Sequence, residues 1–300
     1  MGTGQPLLAA AADITVGITV DTRPHWNGAR NFMRSIQEAS AVGYHWIETL
    51  YNYVARWEDR PEELIGILAK LNLKMETVSN GGRMTVDFVN PAKRDKTIAS
   101  HMNLVRFIKA LGCDHLKINC GRRPGGGHTM ETYRQMAIGF DELGTRISDE
   151  GIKFGIHHHL SSAYETAQDV KTIMAMTNPD HVHMILDTGH ATMAGMDPMA
   201  LIKTYGHRII EYHCKDCDPK DRGGYTGAPI DEDTVNTGPN DRIFFEMGAG
   251  GVDFPGIVAH LNSIGWKGWF TVELDRTATT AKDSAMTNRK YIQSVLKLAV

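Results

Sequence analysis

Apolar residues recur along this chain in two alternating patterns. Short runs rich in β-branched and aliphatic residues are separated by longer segments in which apolar positions return every three or four residues. The short runs ITVGITV (14–20), HWIETL (45–50), LKMETVS (73–79), HLKINC (115–120), KFGIHHH (153–159), VHMILDT (182–188), RIIEYHC (208–214) and WFTVEL (269–274) predict eight strands. Between them, ARNFMRSIQEASAVG (29–43), PEELIGILAKL (61–71), DKTIASHMNLVRFIKALG (95–112), METYRQMAIGFDELGTRISDEG (130–151) and FPGIVAHLNSIG (254–265) carry the helical period. Several of these close on Gly, as helix C-termini do. Strict strand–helix alternation implies a parallel sheet, and eight units imply an α/β fold of the closed (β/α)8 TIM barrel type. An open doubly wound sheet would want a phosphate-binding glycine loop after the first strand, where ITVDTRPHWNG stands instead. The glycine-rich GRRPGGGH (121–128) lacks a GK[ST] ending and reads as a βα loop.

Composition narrows the partners. At 300 residues and 42% hydrophobic, the chain can bury the core of one large domain, with residues 1–13 as a loose N-terminal arm and 14–300 as the barrel. A net charge of −3 without any Lys/Arg cluster argues against a nucleic-acid or polybasic membrane surface, and no apolar run approaches the roughly 18 residues that span a bilayer. Small molecules are the expected partners. The N-terminal Leu/Ala patch lacks the basic flank of an export signal, although it fits a trimmed remnant of one, and Pro6 stands where a myristoylation signal wants Ser or Thr. The four cysteines make no dense disulfide framework, which suits a reducing, cytoplasmic setting. Cys214 and Cys217 form a lone CxxC, too little for structural zinc; Cys214 is expected to face away from the site and Cys217 to lie in a loop. That loop, 215–252, is long, rich in Gly, Asp, Asn and Pro, and is expected to cover a site or serve as a contact in a homo-oligomer.

Four strand ends break their apolar runs with a ligand-type residue: His157 on strand five, Asp187 on six, His213 on seven and Glu273 on eight. These lie at the C-terminal end, where barrel enzymes keep their catalytic groups. A buried carboxylate must be paired, neutralised or metal-bound, and one divalent cation shared by all four would satisfy the set. Mixed nitrogen and oxygen ligation suits Mn, Co, Fe, Zn or Ni better than Mg.

The LDTGH of strand six, the HCKD of strand seven and the closing VDF…VELD, taken with the barrel order, resemble the xylose isomerase-like TIM barrels. That family includes sugar-phosphate isomerases and epimerases, inosose dehydratases, hydroxypyruvate isomerases and endonuclease IV. The resemblance covers roughly residues 14–298, and it implies that Asp187, His213 and Glu273 bind a metal and that His190 contacts substrate. Family isomerases and epimerases carry a ligand Glu on strand five, where this chain has His157. The H-x-H pattern is instead similar to the inosose dehydratase branch. It implies His157 toward the metal, His159 toward the substrate and His158 packed outward.

A metal of this kind acidifies the C–H next to a carbonyl. Glu273, His159 and His190 are the candidate bases, Lys117 a candidate donor to a leaving oxygen, and Glu48 and Trp26 candidate rim contacts to substrate. The first expectation is a metal-dependent isomerase or epimerase of a small sugar or polyol. The second is a dehydratase or lyase acting on a keto-polyol or 3-keto-glycoside, which shares the first half-reaction. An endonuclease IV-like nuclease would want a basic groove and more ligands for a metal cluster, and the acidic balance speaks against it.

Overall fold

All eight β-rich runs are strands, each with its bounds within two residues of those read from the sequence. A computed structural model of the protein describes residues 12–20, 32–81, 84, 86–217, 243–273 and 275–300. In it β1 (Asp13–Thr19), β2 (Trp46–Leu50), β3 (Lys74–Ser79), β4 (His115–Asn119), β5 (Lys153–His157), β6 (His183–Asp187) and β7 (Ile209–Cys214) are followed by a two-residue antiparallel pair, β8 (Asp216–Cys217) and β9 (Phe244–Phe245), and by β10 (Lys267–Val272). Eight of them form one parallel sheet in the order β3-β2-β1-β10-β7-β6-β5-β4, a nearly closed (β/α)8 barrel. The last strand ends at Val272, so Glu273 stands one residue beyond the ladder. Among the described residues no helix is long and apolar enough to cross a membrane.

Helices begin where the sequence supplies caps. Thr129 forms a capping box with Thr132 at the start of the helix Met130–Asp149, and Thr166 does the same with Asp169 ahead of Ala167–Met176. The outward strand residues Phe154, Ile156, Met184, Leu186, Tyr212 and Phe270 join helix residues such as Ile108, Phe140, Ile173 and Leu261 in one continuous apolar core. Each such side chain contributes about 1.5–3 kcal/mol by leaving water.

The barrel interior is polar. Branched aliphatics ordinarily fill this space, yet here Glu48, Glu76, His115, Lys117, Glu211 and Thr271 occupy it, all 2% exposed or less. They survive burial because they pair: Lys117 with Glu48, His115 Nε2 with Glu211 Oε2 at 3.0 Å, and Thr271 with Glu76. Gly17 makes room for this layer, since a Cβ there would lie 1.9 Å from Glu76 Oε2.

No backbone ladder joins β3 to β4 among the described residues; side chains close the seam. Thr77 Oγ1 donates to the carbonyl of His115 at 2.8 Å. The amide of Asn80 grips the main chain of Asn119 at two points, Nδ2 donating to its carbonyl at 3.0 Å and Oδ1 accepting its N–H at 2.7 Å. All four cysteines are free and buried; Cys214 joins the apolar core, and Cys217 lies in β8 rather than in a loop. Residues 1–11 of the expected arm and 218–242 of the long connection lie outside the described residues.

Candidate metal centre and active site

Successive strands deliver His157, Asp187, His213 and Glu273 to one place at the C-terminal end of the barrel. One ligand atom from each lies within 4.8 Å of the others, and all four residues are buried. Three of them end β5 and β6 or sit one residue short of the end of β7, so the parallel register aligns their side chains without backbone strain.

Each of these four side chains is oriented by a second partner. His157 Nδ1–H donates to Asn119 Oδ1 at 2.9 Å, which leaves Nε2 as the unprotonated nitrogen. Asp187 caps the helix Thr188–Met193, its Oδ1 accepting the N–H of His190 at 2.8 Å. The inner atoms His157 Nε2 and Asp187 Oδ2 are buried, carry no hydrogen bond, and face each other at 3.6 Å. Two such atoms aimed at one space are costly unless something fills it. His213 turns Nδ1 toward Glu273 Oε2 at 2.5 Å and Nε2 toward Glu48 Oε2 at 2.7 Å, so a carboxylate holds its far nitrogen while Nδ1 faces the cluster. This donor set, two imidazoles and two carboxylates, fits a divalent cation.

The four groups hold one another's charge: burial and Lys117 would push the His213 imidazole down, but Glu48, Glu273 and Glu211 hold it well above its usual range. Burial, reinforced by Lys117, drives the His157 imidazole well below its usual range, so it is neutral and able to ligate. Burial alone would push Glu273 up, but Lys215 and His213 overcome it and hold the carboxyl well below the usual carboxylate range. Asp187 is raised to about 6, because burial outweighs the attraction of Lys215.

Around the ligands lies a second group. Lys215, wholly buried, places Nζ 2.7 Å from Asp275 Oδ2, 3.0 Å from His190 Nε2, 3.2 Å from Glu273 Oε2 and 3.4 Å from Asp187 Oδ2. Gly189, in the LDTGH motif, accommodates it: a Cβ there would sit 2.8 Å from Lys215 Cγ. His190 stacks on His159 with ring centroids 3.8 Å apart and meets Phe244 edge-on. His159 donates Nδ1–H to the carbonyl of Leu160 at 2.6 Å, leaving Nε2 as its basic nitrogen, and burial together with Lys215 lowers its pKa. His158 is buried and packs away from the ligands onto the carbonyl of Glu165. Arg123, from the glycine-rich loop, pairs with Asp169, and Glu165 Oε1 accepts the N–H of Ser161, which together fasten the turn after His159.

Two expectations change position. Glu48, expected at the rim, is wholly buried beneath His213, because its strand points it into the barrel rather than over the edge. Lys117 lies in the same inner layer; its ammonium is paired with Glu48, and its surrounding carboxylates keep it charged despite burial. Trp26 lies outside the described residues. The sequence reading gave no role to Asn119, Lys215 or Asp275. Lys215 and Asp275 were nevertheless visible inside HCKD and VELD, and Asn119 ends β4 as His157 ends β5.

Comparison with known proteins agrees with this architecture. Residues 36–294 match the model of the xylose isomerase-like TIM barrels. An inosose dehydratase of Lacticaseibacillus casei is 24% identical over 297 residues, covering 94% of this chain and 96% of its own length. The probable 3-DHS dehydratase AsbF from Bacillus anthracis superposes with a TM-score of 0.73 at 14% identity, over 92% of this chain and 98% of its own. The IOLI protein, solved with a binding zinc atom, superposes with a TM-score of 0.72 at 19% identity, over 94% and 98%. This chain belongs to the xylose isomerase-like TIM barrel family.

Proposed function

We propose that this chain is a divalent-metal-dependent dehydratase that removes water from a keto-polyol of the inosose type. The observation that carries the reading is the buried ammonium of Lys215 beside the ligand carboxylates, with the imidazoles of His159 and His190 stacked next to it. That places an acid and a base of different kinds at one site, as elimination needs. The strand-five position holds His157 where an epimerase of the family has a second carboxylate for passing a proton back to carbon. The relatives named inosose dehydratase support the same choice, and they put it ahead of isomerisation, which shares only the first half-reaction.

When bound by His157, Asp187, His213 and Glu273, a divalent ion (Mn, Co, Fe, Zn or Ni) supplies Lewis acidity that acidifies the C–H beside a chelated carbonyl. His159 Nε2 accepts that proton, since its Nδ1–H is already committed to Leu160. The C–H electron pair becomes the new C=C bond as the β-C–O bond breaks. Lys215 donates a proton to the departing hydroxyl, so that water leaves, and Asp275 holds the ammonium in place for that transfer. His159 then gives up the proton it took and Lys215 regains the one it gave, which returns both to their starting states.

The test is turnover of the metal-loaded protein on a panel of inososes, ketoses and 3-keto-glycosides, followed by ultraviolet absorbance and mass. A product 18 mass units lighter with a conjugated-carbonyl chromophore is expected from an inosose. An isomer of unchanged mass, carrying solvent deuterium at the neighbouring carbon, would establish isomerisation instead.

A further inference from the structure

We propose that Asn119 is a positioning residue that sets the tautomer of His157, and that Asn80 and His101 form the chain that holds it there. The inference rests on the reading that His157 is a metal ligand, and extends it to residues that touch neither metal nor substrate.

A carboxylate ligand offers two oxygens in any protonation state that matters. An imidazole ligand has one useful nitrogen, and only if the proton sits on the other. The chain therefore needs a hydrogen-bond acceptor at the far nitrogen of His157, and Asn119 Oδ1 is that acceptor, at 2.9 Å from Nδ1. Were the amide turned round, its NH2 would donate to Nδ1, the proton would move to Nε2, and the nitrogen facing Asp187 could not ligate.

What fixes Asn119 can be followed outward. The carbonyl of Thr97, on the helix Arg94–Ala110, accepts Nδ1–H of His101 at 2.7 Å, which leaves His101 Nε2 as an acceptor. That nitrogen accepts from Asn80 Nδ2 at 3.0 Å, which decides which way the Asn80 amide faces. Asn80, so oriented, offers its remaining N–H to the Asn119 carbonyl and its Oδ1 to the Asn119 N–H. Both hydrogens and the oxygen of its amide are used. Asn80, His101 and His157 are each 1% exposed or less, so water does not compete for these bonds. The polar closure of the β3–β4 seam and the preparation of the His157 lone pair are thus one network.

Cobalt(II) titration of the metal-stripped full chain, read by visible absorption, tests this on the parent, Asn119→Ala, Asn119→Asp and His157→Ala. Asn119→Ala should weaken cobalt binding about 10- to 100-fold, the range for loss of an outer partner of a ligand histidine. Asn119→Asp, which keeps the acceptor, should restore binding to within a few-fold of the parent. Asn119→Ala within twofold of the parent, or Asn119→Asp as weak as Asn119→Ala, overturns the proposal. If His157→Ala binds cobalt as tightly as the parent, the ligand reading itself fails, which is a separate result. Nitrogen-15 NMR of metal-free parent protein gives a readout independent of any variant's folding. The neutral His157 ring should show the Nδ1–H tautomer, and an Nε2–H tautomer overturns the proposal.

Discussion

Lys215 Nζ and Asp275 Oδ2 meet at 2.7 Å in a space closed to solvent, as the last residues of the H-x-K and E-x-D elements that begin with His213 and Glu273. The same ammonium lies 3.2 Å from Glu273 Oε2 and 3.4 Å from Asp187 Oδ2, so its charge is shared among three carboxylates. Lys215→Met should lower kcat by about 10²–10⁴, the usual worth of a positioned proton donor, while the protein still binds one equivalent of metal. Single-turnover kinetics with metal analysis on the same sample checks this; loss of metal along with activity would make Lys215 structural instead.

Stripping the metal should remove activity and lower the melting temperature. A ligand held at 1,000 times its Kd stabilises by about 4 kcal/mol, and for a chain of this size each kcal/mol moves the midpoint by about 2–4 °C. Chelator-treated protein should therefore melt on the order of 10 °C lower, with Mn, Co or Zn restoring both properties. Asp187→Asn should abolish the restoration, because Oδ2 of Asp187 is one of the two inner atoms that carry no hydrogen bond.

Stability should fall in mild acid through His101. Burial lowers its pKa from 6.5 to about 4, and its hydrogen bonds to Thr97 and Asn80 use the neutral ring. Above pH 6.5 the ring is neutral in both folded and unfolded chains and its full contribution is present. As pH drops from 6.5 toward 4 only the unfolded chain takes up the proton, so the folded state loses about 3 kcal/mol across that window. Urea unfolding at pH 7.5, 6, 5 and 4 should show the decline, and His101→Gln should make it shallower without removing it, because burial lowers His158 to about 4 as well.

Gly17→Ala should destabilise the barrel by about 1–3 kcal/mol, the cost of overpacking a filled interior, because the new Cβ would press on Glu76 Oε2. Gly189→Ala should act differently. Its Cβ would displace the Lys215 side chain, so turnover should fall more than thermal stability. Melting curves and kcat measured side by side separate the two.

The barrel was legible because its strands alternate so plainly with amphipathic helices. The convergence of His157, Asp187, His213 and Glu273 was legible because each interrupts an apolar run at the same end. The polar interior was not. In HLKIN and IIEYHC the alternation of polar and apolar residues is what a strand with one wet face shows, and nothing local says that the polar face of His115–Lys117–Asn119 or Glu211–His213 turns into a barrel rather than toward water. Glu48 was placed at the rim for that reason. Asn119 escaped notice because its role depends on Asn80 and His101, 39 and 21 residues away in one link and the next.

The seam between β3 and β4 is a line in this wall that point mutation can reach. Elsewhere the circumference is fixed by ladders, in which a change of spacing would slip a strand and turn every side chain to the wrong face. Here, among the described residues, side chains such as Thr77 and Asn80 span it, so it can be altered one side chain at a time. Because Asn80 holds the main chain of Asn119, whose own amide faces His157, a substitution at the seam should reach His157 without touching it. Under the proposed reading, the grip on a metal can therefore be altered with no change among the four residues that would hold it.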